Sequence, residues 1–386
     1  MSAIMRYTIW MLLFMLGACS PEVEQDVVSP QPEEDSSMVS FSVAMSQEKE
    51  EYYESGYFSA GDKIRICTPV SYSTPDFKDG AMIYDYVTAS ETPGTSEFSD
   101  NSGTSSDLYP YKFIPSEGSG FSWLTLQPTS IYYIFEAMYF PGDNESVGGG
   151  YFEEIPTRQD DPEEFKKADL LLAHHRVPIS ERGKKVQLTF HHAFAMVRVK
   201  VTIPETDNPM EGTFPTDALK WVYMGEMLTG YHVNYAEVIS NDGLRTTKGV
   251  EGEDGRQSVY MYKVTNEDED KVISRTEDGQ IFTQHTYTYC GIVPAQDLIY
   301  ALKGDNFLYF EVKKHDGKGE DDLTTYKFKP KAGLTLEASK ILNLELKIEK
   351  GEQEAVILRA EILPWTEATA NILAGKEEDK STSTED

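Results

Sequence analysis

The sequence predicts an all-β protein made of β-sandwiches, long enough for two domains of ordinary size. Three observations in the 386-residue chain predict it. Apolar and polar residues alternate with period two in many short stretches, the pattern of strands with one face buried. Turn signals such as Asp79-Gly80, Pro93-Gly94 and Pro141-Gly142-Asp143-Asn144 separate those stretches. No stretch sustains a long helical period, so the faces must be buried sheet on sheet.

The chain opens with Arg6, an apolar run over residues 7–16, then Gly17-Ala18-Cys19. The run is too short to span a bilayer comfortably, so residues 1–18 read as a signal peptide. Small residues before a cysteine suit a lipoprotein signal peptidase, with Cys19 as the acyl acceptor. The mature chain is then expected to begin at lipidated Cys19, outside the inner membrane of a bacterium, where several acyl chains hold it. Residues 19–36 are acidic and proline-bearing, with Val23, Val27 and Val28 as the apolar side chains besides proline. Such a segment cannot bury a core and reads as a flexible tether.

The first domain is expected over residues 37–203. Val39, Phe41, Val43 and Met45 alternate with Ser40, Ser42 and Ala44, a half-buried first strand. A turn at 58–62 leads into a second strand over 63–68. Residues 131–140 are apolar on both faces, as a central buried strand requires. Asp161-Pro162-Glu163-Glu164 starts a short helix, with a capping side chain, proline in the first turn and acids at the positive end of the dipole. Val186, Leu188, Phe190, Val197 and Val199 alternate and are expected in the first core. Residues 203–209 hold two prolines, two acids and an asparagine, and read as the linker.

The second domain is expected over residues 204–375. Strands at 307–312 and 326–328 flank a loop at 315–322. Leu342, Leu344 and Leu346 alternate with Asn343, Glu345 and Lys347, and Val356, Leu358, Ala360 and Ile362 alternate up to Pro364-Trp365. Leu342, Leu344, Leu346, Leu358 and Ile362 are expected in the second core. Residues 376–386 are polar and read as a disordered tail.

The net charge of −30 repels a phosphate backbone, which excludes nucleic acid as a partner. Cys67 and Cys290 lie far apart in apolar strands and read as buried small hydrophobes. His174-His175 and His191-His192 are adjacent pairs, and neighbours in a strand point to opposite faces, so neither pair makes a metal site. The acidic run 266–270 lacks the alternating ligands and central glycine of a calcium loop. The chain carries no zinc-protease helix motif, phosphate-binding loop or nucleophile elbow. The expectation is a non-catalytic protein with no cofactor and no metal. Trp123, Trp221 and Trp365 could stack on sugars, but packing at a core or domain edge is the safer reading for Trp123 and Trp365.

Several segments in order carry a resemblance. They are Ala168-Asp169-Leu170-Leu171-Leu172-Ala173, Val186-Gln187-Leu188-Thr189-Phe190, and His192-Ala193-Phe194-Ala195-Met196-Val197-Arg198-Val199. Gly291-Ile292-Val293-Pro294-Ala295-Gln296 follows, then residues 334–348 and Ile362-Leu363-Pro364-Trp365. With the lipobox, these segments resemble the fimbrillin-like proteins, or type V pilins, of Bacteroidales. The resemblance implies two tandem β-sandwich domains of transthyretin-like type in an outer-membrane, surface-exposed lipoprotein. It implies a place in a fimbria, with other fimbrial subunits as partners and a host or bacterial surface ligand. In pilus-forming members an arginine-specific protease removes the first strand, and a strand from the next subunit fills the groove by β-strand addition. Here no arginine follows the first strand until Arg65, inside the next predicted strand. Val39, Phe41, Val43 and Met45 are therefore expected to stay and fill their own groove. Ala368, Thr369, Ala370, Asn371, Ile372 and Leu373 are the expected donor strand. An anchor or accessory subunit, or a cut at Lys49 by a different enzyme, fits this better than a shaft subunit cut after an arginine. The alternative is a surface glycan-binding lipoprotein.

Overall fold

A computed structural model of the protein describes residues 38–45, 62–68, 81–88, 111–115, 120–139, 152–208, 210–234, 245–246, 248–264, 272–275, 281–298, 306–318, 321–329, 334–349 and 356–365. The chain is almost all β, a sandwich fold, as the alternation predicts. Its first half supplies β1 (Phe41–Met45), β2 (Lys63–Cys67), β3 (Ala81–Thr88), β4 (Tyr111–Pro115), β5 (Tyr132–Tyr139), β6 (Phe152–Glu154), α1 (Pro162–Lys167), β7 (Leu171–Pro178), β8 (Val186–His192) and β9 (Ala195–Glu205). The second half supplies β10 (Leu219–Met227), β11 (Gly230–Asn234), β12 (Arg245–Thr246), β13 (Gln257–Tyr260), β14 (Tyr262–Val264), β15 (Val272–Arg275) and β16 (Ile281–Val293). β17 (Gln296–Asp297), β18 (Leu308–His315), β19 (Asp321–Phe328), β20 (Thr335–Leu336), β21 (Lys340–Lys347) and β22 (Val356–Pro364) follow.

Seven strands form one sheet in the order β1-β8-β7-β5-β2-β3-β4. β5 is its middle strand, which is where a run apolar on both faces belongs. Its odd-numbered residues Tyr133, Phe135, Ala137 and Tyr139 join Ile64, Ile66, Val186, Leu188 and Phe190 in a smaller core. Its even-numbered Ile134 and Met138 face the other way and join Cys67 and Leu172 in a larger core. That larger core is filled mainly by a sandwich. One layer is the six-stranded sheet β14-β16-β9-β21-β22, with β15 beside β16, and the other is the four-stranded sheet β13-β10-β18-β19. Val199, Val201, Leu342 and Leu344 meet Val222, Met224, Phe310 and Val312 across it, the alternating inner faces of two packed sheets. The short helix forms where the sequence places it: Asp161 Oδ1 accepts from the Glu163 and Glu164 amides at 2.9 and 3.3 Å.

Three expectations are corrected. Val197 and Val199 pack in the larger core rather than with Val186, Leu188 and Phe190. The chain turns at Ala193-Phe194 and changes sheet, so β8 and β9 never share a core despite a common alternation. Residues 203–205 continue β9, paired to β16 through Glu205, instead of opening a linker. Residues 152–170 also cross over early: β6 pairs with β11, and Ile155, Ala168 and Leu170 sit in the larger core. Finally, Leu358 and Ile362 are 59% and 49% exposed. They lie on β22, which among the described residues is the edge of its sheet and pairs with β21 alone, and on that face those residues leave them largely uncovered. Period two shows that two side chains share a face; it does not show that anything covers the face. Leu342, Leu344 and Leu346, one strand inward, are buried.

Candidate functional site

β1 lies at one edge of the seven-stranded sheet, parallel to β8, with Phe41 opposite Val186, Val43 opposite Leu188 and Met45 opposite Phe190. Val39 and Phe41 are buried, Phe41 to 2% exposure. The Phe41 ring meets Phe135 edge-on at 5.3 Å and Phe121 at 6.4 Å. Main-chain bonds hold the segment: the Val39 amide donates to Phe121 O and the Val186 amide to Ser40 O, each at 2.9 Å. For Val43 and Met45 the backbone register alone is described. Cys19 and residues 368–373 lie outside the described residues.

Arg65 is buried in the middle of β2, its neighbours Met138 on β5 and Ile83 on β3. Its backbone is therefore closed off from a protease, which needs an extended, unpaired segment.

At the far end of β8 three distant segments meet. His192 Nδ1 lies 2.7 Å from Asp169 Oδ1, and its ring stacks on Trp365 with centroids 3.7 Å apart and planes within 6°. Ser339 Oγ donates to His192 O. All of these side chains except Ser339 are buried. Asp169, His192 and Trp365 belong to three of the segments that carry the resemblance, so those segments encode a strut where the chain changes sheet. Gln296, from a further one, accepts from the Leu228 amide and donates to Leu228 O and Pro294 O.

Two more buried polar side chains do similar work. Gln159 Oε1 accepts from the Ile292 amide while Nε2 donates to Ile292 O, both at 2.8 Å, mimicking a paired strand. Glu205 accepts from the Asp217 and Ala218 amides and from the Tyr287 hydroxyl, and pairs with His285. Burial and the Glu205 carboxylate push the Tyr287 phenol well above its ordinary range. Gln159 carried no sequence signal. Glu205 did, because Val201, Ile203 and Glu205 continue one inward-facing period.

The paired histidines are placed apart. His174 pairs with the fully buried Glu136 and accepts from Arg176 Nε at 3.2 Å. His175 turns to the opposite face. Among the described residues no group of three or more His, Cys, Asp or Glu side chains could hold a metal ion. Cys67 and Cys290 are both buried. Trp123 and Trp365 are buried, while Trp221 is exposed.

The sequence matches the fimbrillin-like family over residues 58–365. The chain belongs to the fimbrillin-like family. This fimbrillin-like chain is therefore a structural protein of a fimbrial family and not an enzyme. Among solved structures it is similar to a candidate cell adhesion protein of Bacteroides uniformis, at 17% identity, 85% of this chain, 98% of that one and a TM-score of 0.46. A candidate cell adhesion protein of Bacteroides ovatus gives 13%, 85%, 96% and 0.49. The fimbrial anchor protein Mfa2 of Porphyromonas gingivalis gives 12%, 85%, 97% and 0.32. The family assignment stands on the sequence match alone. A comparison with curated proteins finds no match.

The fimbrillin-like protein also carries an acid-sensitive histidine. Burial, with His192 and His174 nearby, pushes His191 down from 6.5 to about 4. The fold thus favours neutral His191. Its contribution is complete above pH 6.5 and is lost as pH falls towards 4, about 3 kcal/mol over that window. His191→Gln removes this slope. Urea melts of both proteins at pH 7 and pH 4.5 check it: equal losses on acidification contradict the assignment.

Proposed function

We propose that this fimbrillin-like protein is an outer-membrane surface lipoprotein acting as an anchor-like or accessory fimbrial subunit. The observation that carries this reading is β1 paired to β8 at the sheet edge, with Val39 and Phe41 buried. Residues 46–64 contain no arginine, and Arg65 is enclosed in β2. An uncut strand keeps the groove closed to an incoming one. Such a subunit donates a strand without receiving one. β22 supports a donor role, since among the described residues it is an edge strand with exposed Ile357, Leu358 and Ile362, and residues 366–373 follow it in the sequence. A long, exposed, apolar edge is a template for pairing with another chain. The partners are other fimbrial subunits, the membrane through the lipid on Cys19, and a surface ligand of host or bacterium.

N-terminal analysis of the protein recovered from the cell surface tests this. A blocked, acylated Cys19 is expected; a start after Lys49 or Arg65 overturns the anchor-like reading and restores a shaft role. Replacing Cys19 by alanine is expected to release the protein from the membrane or leave it unprocessed. Full acyl labelling and unchanged membrane retention of that variant would refute lipidation at Cys19.

A further inference from the structure

The four-stranded sheet turns one face to the larger core and the other outward. The outward face carries a row of rings. Tyr260 on β13, Tyr223 on β10 and Tyr309 on β18 are cross-strand neighbours. Tyr223 lies 5.2 Å from Tyr260 and 4.9 Å from Tyr309, the latter pair within 4° of parallel. Cations close both ends: the Arg158 guanidinium is 4.2 Å from the Tyr260 centroid and the Lys327 ammonium 5.9 Å from that of Tyr309. Gly225 makes room, because a β-carbon there would stand 2.5 Å from the Tyr309 ring. Every ring in the row has both faces taken. The row is a finished structural element.

Trp221 is different. It precedes Tyr223 by two residues, so it shares the outward face, in the interior of the sheet. It is 46% exposed, and its indole has no ring, cation or hydrogen-bond partner among the described residues. Directly across β18 stands Glu311. Its Oε1 accepts from Thr325 Oγ1 at 2.9 Å. A bare indole therefore lies beside a carboxylate held in place by a hydroxyl.

We propose that this face, centred on Trp221 and Glu311, binds neutral glycans. A sugar ring presents a flat C–H face with hydroxyls around its rim. The electron-rich indole face attracts such C–H edges, and a positioned carboxylate accepts strong hydrogen bonds from hydroxyls. The chain's charge of −30 opposes acidic polymers, which leaves uncharged glycans as the matching chemistry. The proposal is independent of strand exchange, since Trp221 and Glu311 take no part in the β1 groove or the β22 edge.

The test uses the full mature chain and three neutral probes: cellohexaose, mannohexaose and an oligomer of N-acetyllactosamine. Calorimetric titration should show saturable binding to at least one. Trp221→Ala should weaken it at least about tenfold, with Trp221→Phe between that variant and the natural chain. Glu311→Gln should weaken it less. All three variants should keep the melting temperature of the natural chain, because Trp221 is exposed and Glu311 sits on the outer face. No saturable binding to any probe overturns the proposal, and so does binding that Trp221→Ala leaves unchanged. Self-association of the natural chain that Trp221→Ala abolishes, seen by sedimentation, overturns it in favour of a protein–protein contact. Strand exchange can fail in its own assay without touching these results.

Discussion

Replacing Leu344 by alanine is expected to lower the stability of the protein by about 2–5 kcal/mol. Leu344 is 1% exposed, on β21 between β9 and β22, and its side chain lies in the larger core. Close packing leaves a cavity that the surrounding strands cannot fully collapse. Leu358→Ala is the control. Leu358 has the same side chain on the neighbouring strand, yet it stands in solvent, and its loss should change stability by less than about 0.5 kcal/mol. Chemical denaturation of the two variants beside the natural chain measures both. If the two costs were equal, the placement of the core boundary between β21 and β22 would be wrong.

Phe41→Ala should cost a similar amount, about 3–5 kcal/mol, and should do something Leu344→Ala does not. Phe41 fills the space between Phe121 and Phe135, and among the described residues β1 is hydrogen-bonded to one strand, β8. An edge strand deprived of its anchor detaches more readily than a central one, because fewer main-chain bonds must break. The variant should therefore show faster amide exchange in β8 and cleavage by added protease within residues 38–61 at concentrations that spare the natural chain. A synthetic peptide of residues 38–45 should bind it and not the natural chain. Global unfolding without selective exposure of β8 would show that the groove cannot open separately.

Much of this fold was legible in the sequence because strand alternation is local. β5, β8, β18 and β21 fall where period two puts them, and α1 where its cap and proline put it. What was illegible is non-local. Nothing in the alternation of Val197 and Val199 tells that Ala193-Phe194 has already passed the chain to another sheet. Nothing in Leu358 and Ile362 tells that the opposing layer stops short of them. The prolines and acids at 203–209 read as a linker because proline and charge usually break a strand. Here Pro204 points away from the core, and the Glu205 carboxylate is met by two amides, a phenol and a histidine. The residues of the resemblance fared well as markers of fold: Asp169, His192, Gln296 and Trp365 all turn out to tie main chain or ring to a distant segment. The exposed Trp221 was visible as a tryptophan and invisible as a surface residue, since its strand offers Val222 and Met224 to the core on the other side.

The parallel pairing of β1 with β8 also sets an order in time. Residue 41 meets residue 186, and every other strand of that sheet lies between them in the chain. A parallel neighbour cannot be reached by a hairpin, and closing so long a loop is slow compared with forming the local β2–β3 and β7–β8 pairs. The strand that leaves the secretion machinery first is thus the last to find its seat. For that interval each newly exported molecule has an empty groove, whatever its final state. Whether it closes on itself becomes a race between an intramolecular search and the local concentration of other chains. On the proposed strand addition, crowding at the site of export, as much as any cut in the chain, would then decide which strand occupies the groove.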